Sequence, residues 1–142
     1  MSDVEAYKRT MGRLIEEVWN KQNLDAVPEV FTEDAIMHHG GSGDCGGHDM
    51  VGTPAFRDGY MRPTQAAFPD IQHAVKDLLF DGDKVTMRFQ GEGTHAGEHL
   101  GFAPTGRALR YEGLVIFRME GALIAEVWVI SNMARVLAAL QH

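Results

Sequence analysis

The chain has 142 residues, 44% hydrophobic and 23% charged, with a formal net charge of −7, the balance of one folded domain spanning 1–142 with no room for a separate cofactor domain. Its 13 Lys and Arg residues form no basic run, which argues against a nucleic-acid partner, and no apolar stretch approaches the roughly 20 residues of a membrane-spanning helix. The segment MSDVEAYKRT is charged where a signal peptide is apolar, and Cys45 is the single cysteine, so no intrachain disulfide forms and a reducing cytoplasm is the expected location.

From Asp3 to about Lys21, apolar residues from Val4 to Trp19 recur at three- and four-residue spacing, which predicts an amphipathic helix capped by Ser2 or Asp3. Asn23 to Phe31 reads as a second short helix broken near Pro28, and Ala35 to His38 as a short strand. The segment HHGGSGDCGGHD then predicts a turned or flexible loop. Thr53 to about Ala67 suits a helix that tolerates Pro54 in its first turn and kinks or breaks at Pro63.

The remainder reads as a sheet. Ile71 to Phe80 and Lys84 to Thr94 form a hairpin turned at Asp81-Gly82-Asp83. A loop from His95 to Thr105 follows, then Arg107 to Met119 and Leu123 to Asn132, turned at Glu120-Gly121, and a helix from Met133 to Leu140. Two-residue periodicity puts Glu112, Leu114 and Ile116 on one side of the third long strand and Tyr111, Val115 and Phe117 on the other. On the fourth, Glu126, Trp128, Ile130 and Asn132 align.

The order of helices then sheet, with FPD before the first long strand, GTHAGE after the second, LGFAPTGR in the loop and IFRMEGALIAEVW at the end, resembles the SnoaL-like polyketide cyclase family. The resemblance is specific from about Phe68 to Leu140. Before that it rests on helix pattern, Trp19-Asn20 and His38, with the glycine-rich loop as an insertion. It implies an α+β class: a cone-shaped α+β barrel of the nuclear-transport-factor type, its curved mixed or antiparallel sheet wrapped on N-terminal helices. It also implies a homodimer or homotetramer with a deep apolar pocket, working without metal or cofactor. Members with known chemistry close a polyketide ring by intramolecular aldol condensation.

Such a closure needs a general base for a proton alpha to a carbonyl, a group that stabilises the enolate and a cavity that folds the substrate. A carboxylate in an apolar pocket serves as base because desolvation raises its pKa. The resemblance implies an aspartate on the last strand, but the matching segment runs from Glu126 to Asn132 without one. Asn132 can donate a hydrogen bond to an enolate oxygen but cannot take a proton.

Other residues are therefore candidates for proton transfer. Glu112 is the first candidate base, standing where resembling sequences carry a small or neutral residue. The bland alternative is a solvent-facing strand glutamate paired with Arg110 or Arg118. His95, in GTHAGEH, can act as acid or base, or pin the loop backbone by a hydrogen bond. His38 is expected near the pocket mouth, or else as a buried, hydrogen-bonded histidine. Trp19, Tyr60, Phe102, Glu126 and Trp128 are candidate pocket residues, although aromatic residues at such spacings are commonly plain core. Arg88 is a candidate for orienting a carboxylate or ester, with a surface ion pair as its alternative. His38, His39, Asp44, Cys45, His48 and Asp49 suggest metal ligation, but no zinc spacing on rigid elements supports it, and no metal is expected.

Two function classes remain open. One is a cofactor-free enzyme on a small apolar carbonyl or polyketide-type compound: a polyketide or ester cyclase, or a related isomerase, dehydratase (lyase) or epoxide hydrolase. The other is a noncatalytic module that binds a small hydrophobic ligand or acts through its dimer surface. Fold alone does not choose between them.

Overall fold

The computed structural model describes residues 3–38 and 49–141. The first helix begins as α1, Asp3–Arg13, and continues as a π-helical segment, Leu14–Asn20. Tyr7, Met11, Leu14, Ile15, Val18 and Trp19 are all buried, which is the apolar stripe that the periodicity predicts. A 3₁₀ helix follows at Leu24–Glu29 and includes Pro28. Strand β1 spans Phe31–His38, four residues longer at its start than the sequence pattern suggests, and β2 is a short strand at Met50–Val51.

The next helix is α2, Thr53–Phe56, a π-helical segment Arg57–Met61, and α3, Arg62–Ala67. Pro63 does not break it. The proline falls in the first turn of α3, after the wider π turn, where its missing N–H costs little. Strands β3 Gln72–Asp81, β4 Lys84–Thr94, β5 Ala108–Glu120 and β6 Leu123–Ser131 follow, and α4, Met133–Leu140, closes the described chain.

The strands form one six-stranded mixed sheet in the order β2-β1-β6-β5-β4-β3. β3 to β6 is an antiparallel meander, while β1 lies parallel to β6. The sheet stays open, with β2 and β3 at its edges, so the α+β architecture is cone-like but not a closed barrel.

Its two faces differ. Met87 and Phe89 of β4, Tyr111, Val115 and Phe117 of β5, and Val127 and Val129 of β6 are buried and line one internal cavity with residues of the helices. The opposite face carries Arg88, Glu112, Leu114, Ile116, Arg118, Glu126, Trp128 and Ile130, in register: Arg88 faces Leu114, which faces Ile130, and Ile116 faces Trp128. Leu114, Ile116 and Ile130 are 52%, 40% and 73% exposed.

Among the described residues no helix is long and apolar enough to cross a membrane.

Candidate functional site

The cavity is bounded by aliphatic, aromatic and methionine side chains, and among the described residues no carboxylate, lysine or arginine lines it. Its polar wall includes His73 of β3 and Tyr111 of β5, whose imidazole Nε2 and hydroxyl share a short hydrogen bond. His73 is 7% exposed and its Nδ1 has no partner among the described residues. Burial alone holds its pKa down, from the ordinary 6.5 to about 4, because the charged imidazolium is poorly solvated there. The ring is therefore neutral near pH 7. A neutral imidazole and a phenol in one hydrogen bond can exchange a proton, so the pair can present either an acid or a base to a ligand.

Local structure explains why this pair exists. β3 is an edge strand, so the backbone groups of His73 on the side away from β4 have no strand to pair with. Asn20, the last residue of the first π-helical segment, supplies both partners. Its Oδ1 accepts from His73 N at 2.7 Å and its Nδ2 donates to His73 O at 3.0 Å. The preceding residue, Trp19, meets the His73 ring edge to face at 4.9 Å. Two consecutive side chains thus fix the backbone and the ring of His73, and π turns recur at such sites.

Gly91, opposite both His73 and Tyr111 in the sheet, provides the space. A Cβ there would stand 2.8 Å from Tyr111 Cζ and 3.0 Å from His73 Cδ2, so a larger residue would push the pair apart.

The residues singled out from sequence divide between locations. Trp19 and Tyr60 line the cavity. Glu112 is exposed on the outer face, and its backbone N donates to Asn132 Oδ1 at 2.9 Å while Asn132 N donates to Glu112 O at 3.1 Å. That exchange ends the β5–β6 pairing and leaves neither side chain on the cavity. Arg88 is also on the outer face and donates from Nε to Asp77 Oδ2 at 2.6 Å. Phe102 is half-buried and packs against the core, outside the cavity wall.

His38, Glu126 and Trp128 also lie on the outer face. His38 Nε2 and Glu126 Oε2 are 2.5 Å apart, His38 Nδ1 and Asp49 Oδ2 are 3.1 Å apart, and Arg118 Nε donates to Glu126 Oε1 at 2.8 Å. The hydrogen bond to Glu126 raises the His38 pKa; burial, the next-largest effect, opposes it, and the hydrogen bond to Asp49 adds to the rise. Arg118 first and His38 second lower that of Glu126. Trp128 stacks on the His38 ring at 5.0 Å.

His95 is fully buried but away from the cavity. Its Nδ1 lies 3.3 Å from Thr105 Oγ1, its backbone N donates to Arg107 O at 2.9 Å, and its ring packs on Phe68. These contacts fold the loop back on the sheet.

Among the described residues no group of three or more His, Cys, Asp or Glu side chains could hold a metal ion. His39, Asp44, Cys45 and His48 lie outside the described residues.

The site residues that sequence reasoning missed are His73 and Tyr111. Tyr111 was legible, since it shares parity with Val115 and Phe117. His73 was not, because β3 lacks a regular alternation: it is the one buried residue of that strand.

The profile of the SnoaL-like polyketide cyclase family matches residues 9–140. Among solved structures, the chain is similar to IdmH, a candidate polyketide cyclase from Streptomyces antibioticus, with 31% identity over 95% of this chain and 98% of that one and a TM-score of 0.80. AclR, a candidate hydroxylase from Streptomyces galilaeus, is 24% identical over 99% of this chain and 98% of that one, with a TM-score of 0.80. A candidate SnoaL-like polyketide cyclase from Jannaschia sp. CCS1 is 19% identical over 96% of this chain and 92% of that one, with a TM-score of 0.83. No match was found among curated protein sequences.

Proposed function

Since the chain belongs to the SnoaL-like polyketide cyclase family, we propose that it is a cofactor-free acid/base enzyme acting on an apolar carbonyl compound, with His73 as the base and Tyr111 as the group that holds it. The observation that carries this reading is a hydrogen-bonded, neutral histidine–tyrosine pair in an otherwise apolar cavity. An imidazole whose conjugate acid has a pKa of about 4 is a weak base, so it suits a carbon acid flanked by two carbonyls rather than an ordinary ketone. A β-dicarbonyl is such a compound.

In the proposed reaction Nδ1 of His73 takes the α-proton, and Tyr111, hydrogen-bonded to Nε2, holds the ring in the tautomer that leaves Nδ1 free to act as base. The enol carbon then attacks a second carbonyl of the folded chain. A carbon–carbon bond forms, and the abstracted proton passes to the new alkoxide oxygen, so neither oxidant nor metal is required.

The test needs no knowledge of the natural substrate. Exchange of the α-hydrogens of ethyl 3-oxooctanoate in D₂O, followed by NMR, reads proton abstraction directly. Wild type accelerates exchange, and His73→Gln and Tyr111→Phe each reduce that acceleration by about 10²- to 10⁴-fold. Glu112→Gln leaves it within about twofold of wild type. Full exchange activity in His73→Gln, or its loss in Glu112→Gln, overturns the assignment.

We also propose that the outer face seats a second copy of the chain. Leu114, Ile116 and Ile130 form an exposed apolar strip there. The Arg88–Asp77 and Arg118–Glu126 pairs put both signs of charge on the same face, as a self-complementary surface requires. Dimerisation would work alongside the enzymatic reading, and a cytoplasmic location agrees with both.

A further inference from the structure

The cavity beside His73 and Tyr111 has about 50 Å³ of free space, enough for a few water molecules and too little for an organic substrate. Tyr60 is part of its wall. The same tyrosine also lines a surface depression of about 370 Å³, bounded by Gly59, Pro63, Glu98, His99, Leu100 and Gly101. Tyr60 sits on the second π-helical segment, Arg57–Met61, and meets Trp19 of the first edge to face at 5.9 Å. Trp19 in turn touches His73. A run of aromatic rings therefore leads from the depression to the histidine–tyrosine pair.

The rim of the depression has a fixed shape. Glu98 Oε1 accepts from Gly101 N at 2.9 Å, and the backbones of His99 and Phe102 exchange hydrogen bonds of 3.1 and 2.9 Å. Leu100 is held at a φ of 54° beside Gly101 at 82°, a conformation that side-chain-bearing residues rarely adopt and that persists where the surroundings over-determine it. His99 is 7% exposed and its Nε2 has no partner among the described residues. A buried, unsatisfied imidazole nitrogen beside a depression is a hydrogen-bonding group in reserve.

We propose that this depression is the second half of the substrate site. A carbonyl group occupies the cavity at His73 and Tyr111, Tyr60 turns aside, and the part of the ligand too long for the cavity lies between Pro63 and the Glu98–Gly101 turn. The proposal rests on the reading of His73 and Tyr111 as the polar head of the site. Chemistry limits the tail. Among the described residues the depression offers the Glu98 carboxylate and an imidazole but no lysine or arginine, so it accepts a neutral hydroxyl or amide and repels a carboxylate. Tyr60 thereby sets which ligand lengths are admitted.

The probes are 2-alkanones from 2-butanone to 2-undecanone, with ω-hydroxy and ω-carboxy forms of the longest. Dissociation constants come from the shifts of the His73 and Tyr111 ring signals in NMR titrations. In wild type, affinity rises by about fourfold per methylene and keeps rising through the longer ketones. Pro63→Trp, at an exposed position, fills the depression and weakens 2-undecanone by about tenfold or more while 2-butanone stays within about twofold.

The ω-hydroxy form binds at least as well as its parent, and the ω-carboxy form binds about tenfold more weakly. Glu98→Gln removes that discrimination while retaining an oxygen that can accept from Gly101 N. Affinity that stops rising beyond the short ketones, or long-chain binding indifferent to Pro63→Trp, overturns the proposal and leaves the histidine–tyrosine reading intact. Ring signals that no ketone moves overturn both.

Discussion

His73 and His38 are the same residue type on opposite faces of one sheet, and their surroundings drive them in opposite directions. His73 lies against Trp19, Phe89 and Tyr111, with a neutral hydroxyl as its side-chain partner, and burial pushes its pKa down to about 4. His38 lies between the carboxylates of Glu126 and Asp49, and those hydrogen bonds push its pKa up. A histidine with two carboxylate partners on the outer face is an ion-pair element. A buried one with an unpartnered nitrogen is a group held ready for a ligand.

The largest expected effect that sharpens this contrast is on stability against acid. The folded pKa of His73 is depressed, so its contribution is present above the unfolded value of 6.5 and is lost as pH falls through about 4. Between pH 6.5 and 4 the unfolded chain binds up to nearly one more proton at this site than the folded one, which destabilises the fold by about 3 kcal/mol by pH 4. Urea unfolding at pH 7 and pH 4 checks it: wild type loses about 3 kcal/mol more than His73→Gln over that range. His99, also lowered by burial, is common to both proteins and cancels. Equal losses in the two would mean that His73 is not held neutral.

The same contrast explains what could be read from sequence. β4 and α4 have the expected bounds, and parity along β5 and β6 separated Tyr111, Val115 and Phe117 from Glu112, Leu114 and Ile116. Parity does not say which set faces inward. Here both faces are apolar, because Leu114, Ile116, Trp128 and Ile130 line the outer one, and so Glu112 and Glu126 looked like carboxylates in an apolar pocket. β3 was harder still: as an edge strand it buries only His73, so no alternation marks that residue. Its anchor, Asn20, is 53 positions away in sequence, a pairing that local pattern cannot reveal.

An outer face this apolar invites the next test. Ile130 is 73% exposed and pairs with Leu114, so Ile130→Lys places a charge in the middle of the strip at no cost to the monomer's core. If a second copy covers the strip, light scattering behind size-exclusion chromatography shows a dimer for wild type and a monomer for Ile130→Lys, with dimer dissociation strengthened by about 2 kcal/mol or more. The α-exchange rate per chain stays within about twofold, since the cavity is untouched. A wild-type monomer, or a variant that dimerises unchanged, removes the outer face as an interface.

The smallest expected effect comes from breaking the His38 network itself. His38 and Glu126 side chains are each 20% exposed, so the pair is partly screened, and His38→Gln costs about 0.5–1 kcal/mol near pH 6. The sign with pH is opposite to that of His73. A raised folded pKa gives stability that is fully present below the unfolded value and is lost as pH rises through the folded one. The difference between wild type and His38→Gln in urea midpoints therefore shrinks from pH 6 toward pH 9, whereas that for His73→Gln grows in favour of wild type from pH 4 toward pH 7. His38→Gln leaves α-exchange unaltered, because Met37, not His38, is the β1 residue of this pair that lines the cavity. A loss of exchange in His38→Gln comparable to that in His73→Gln would move the chemistry to the outer face and dissolve the distinction between the two histidines.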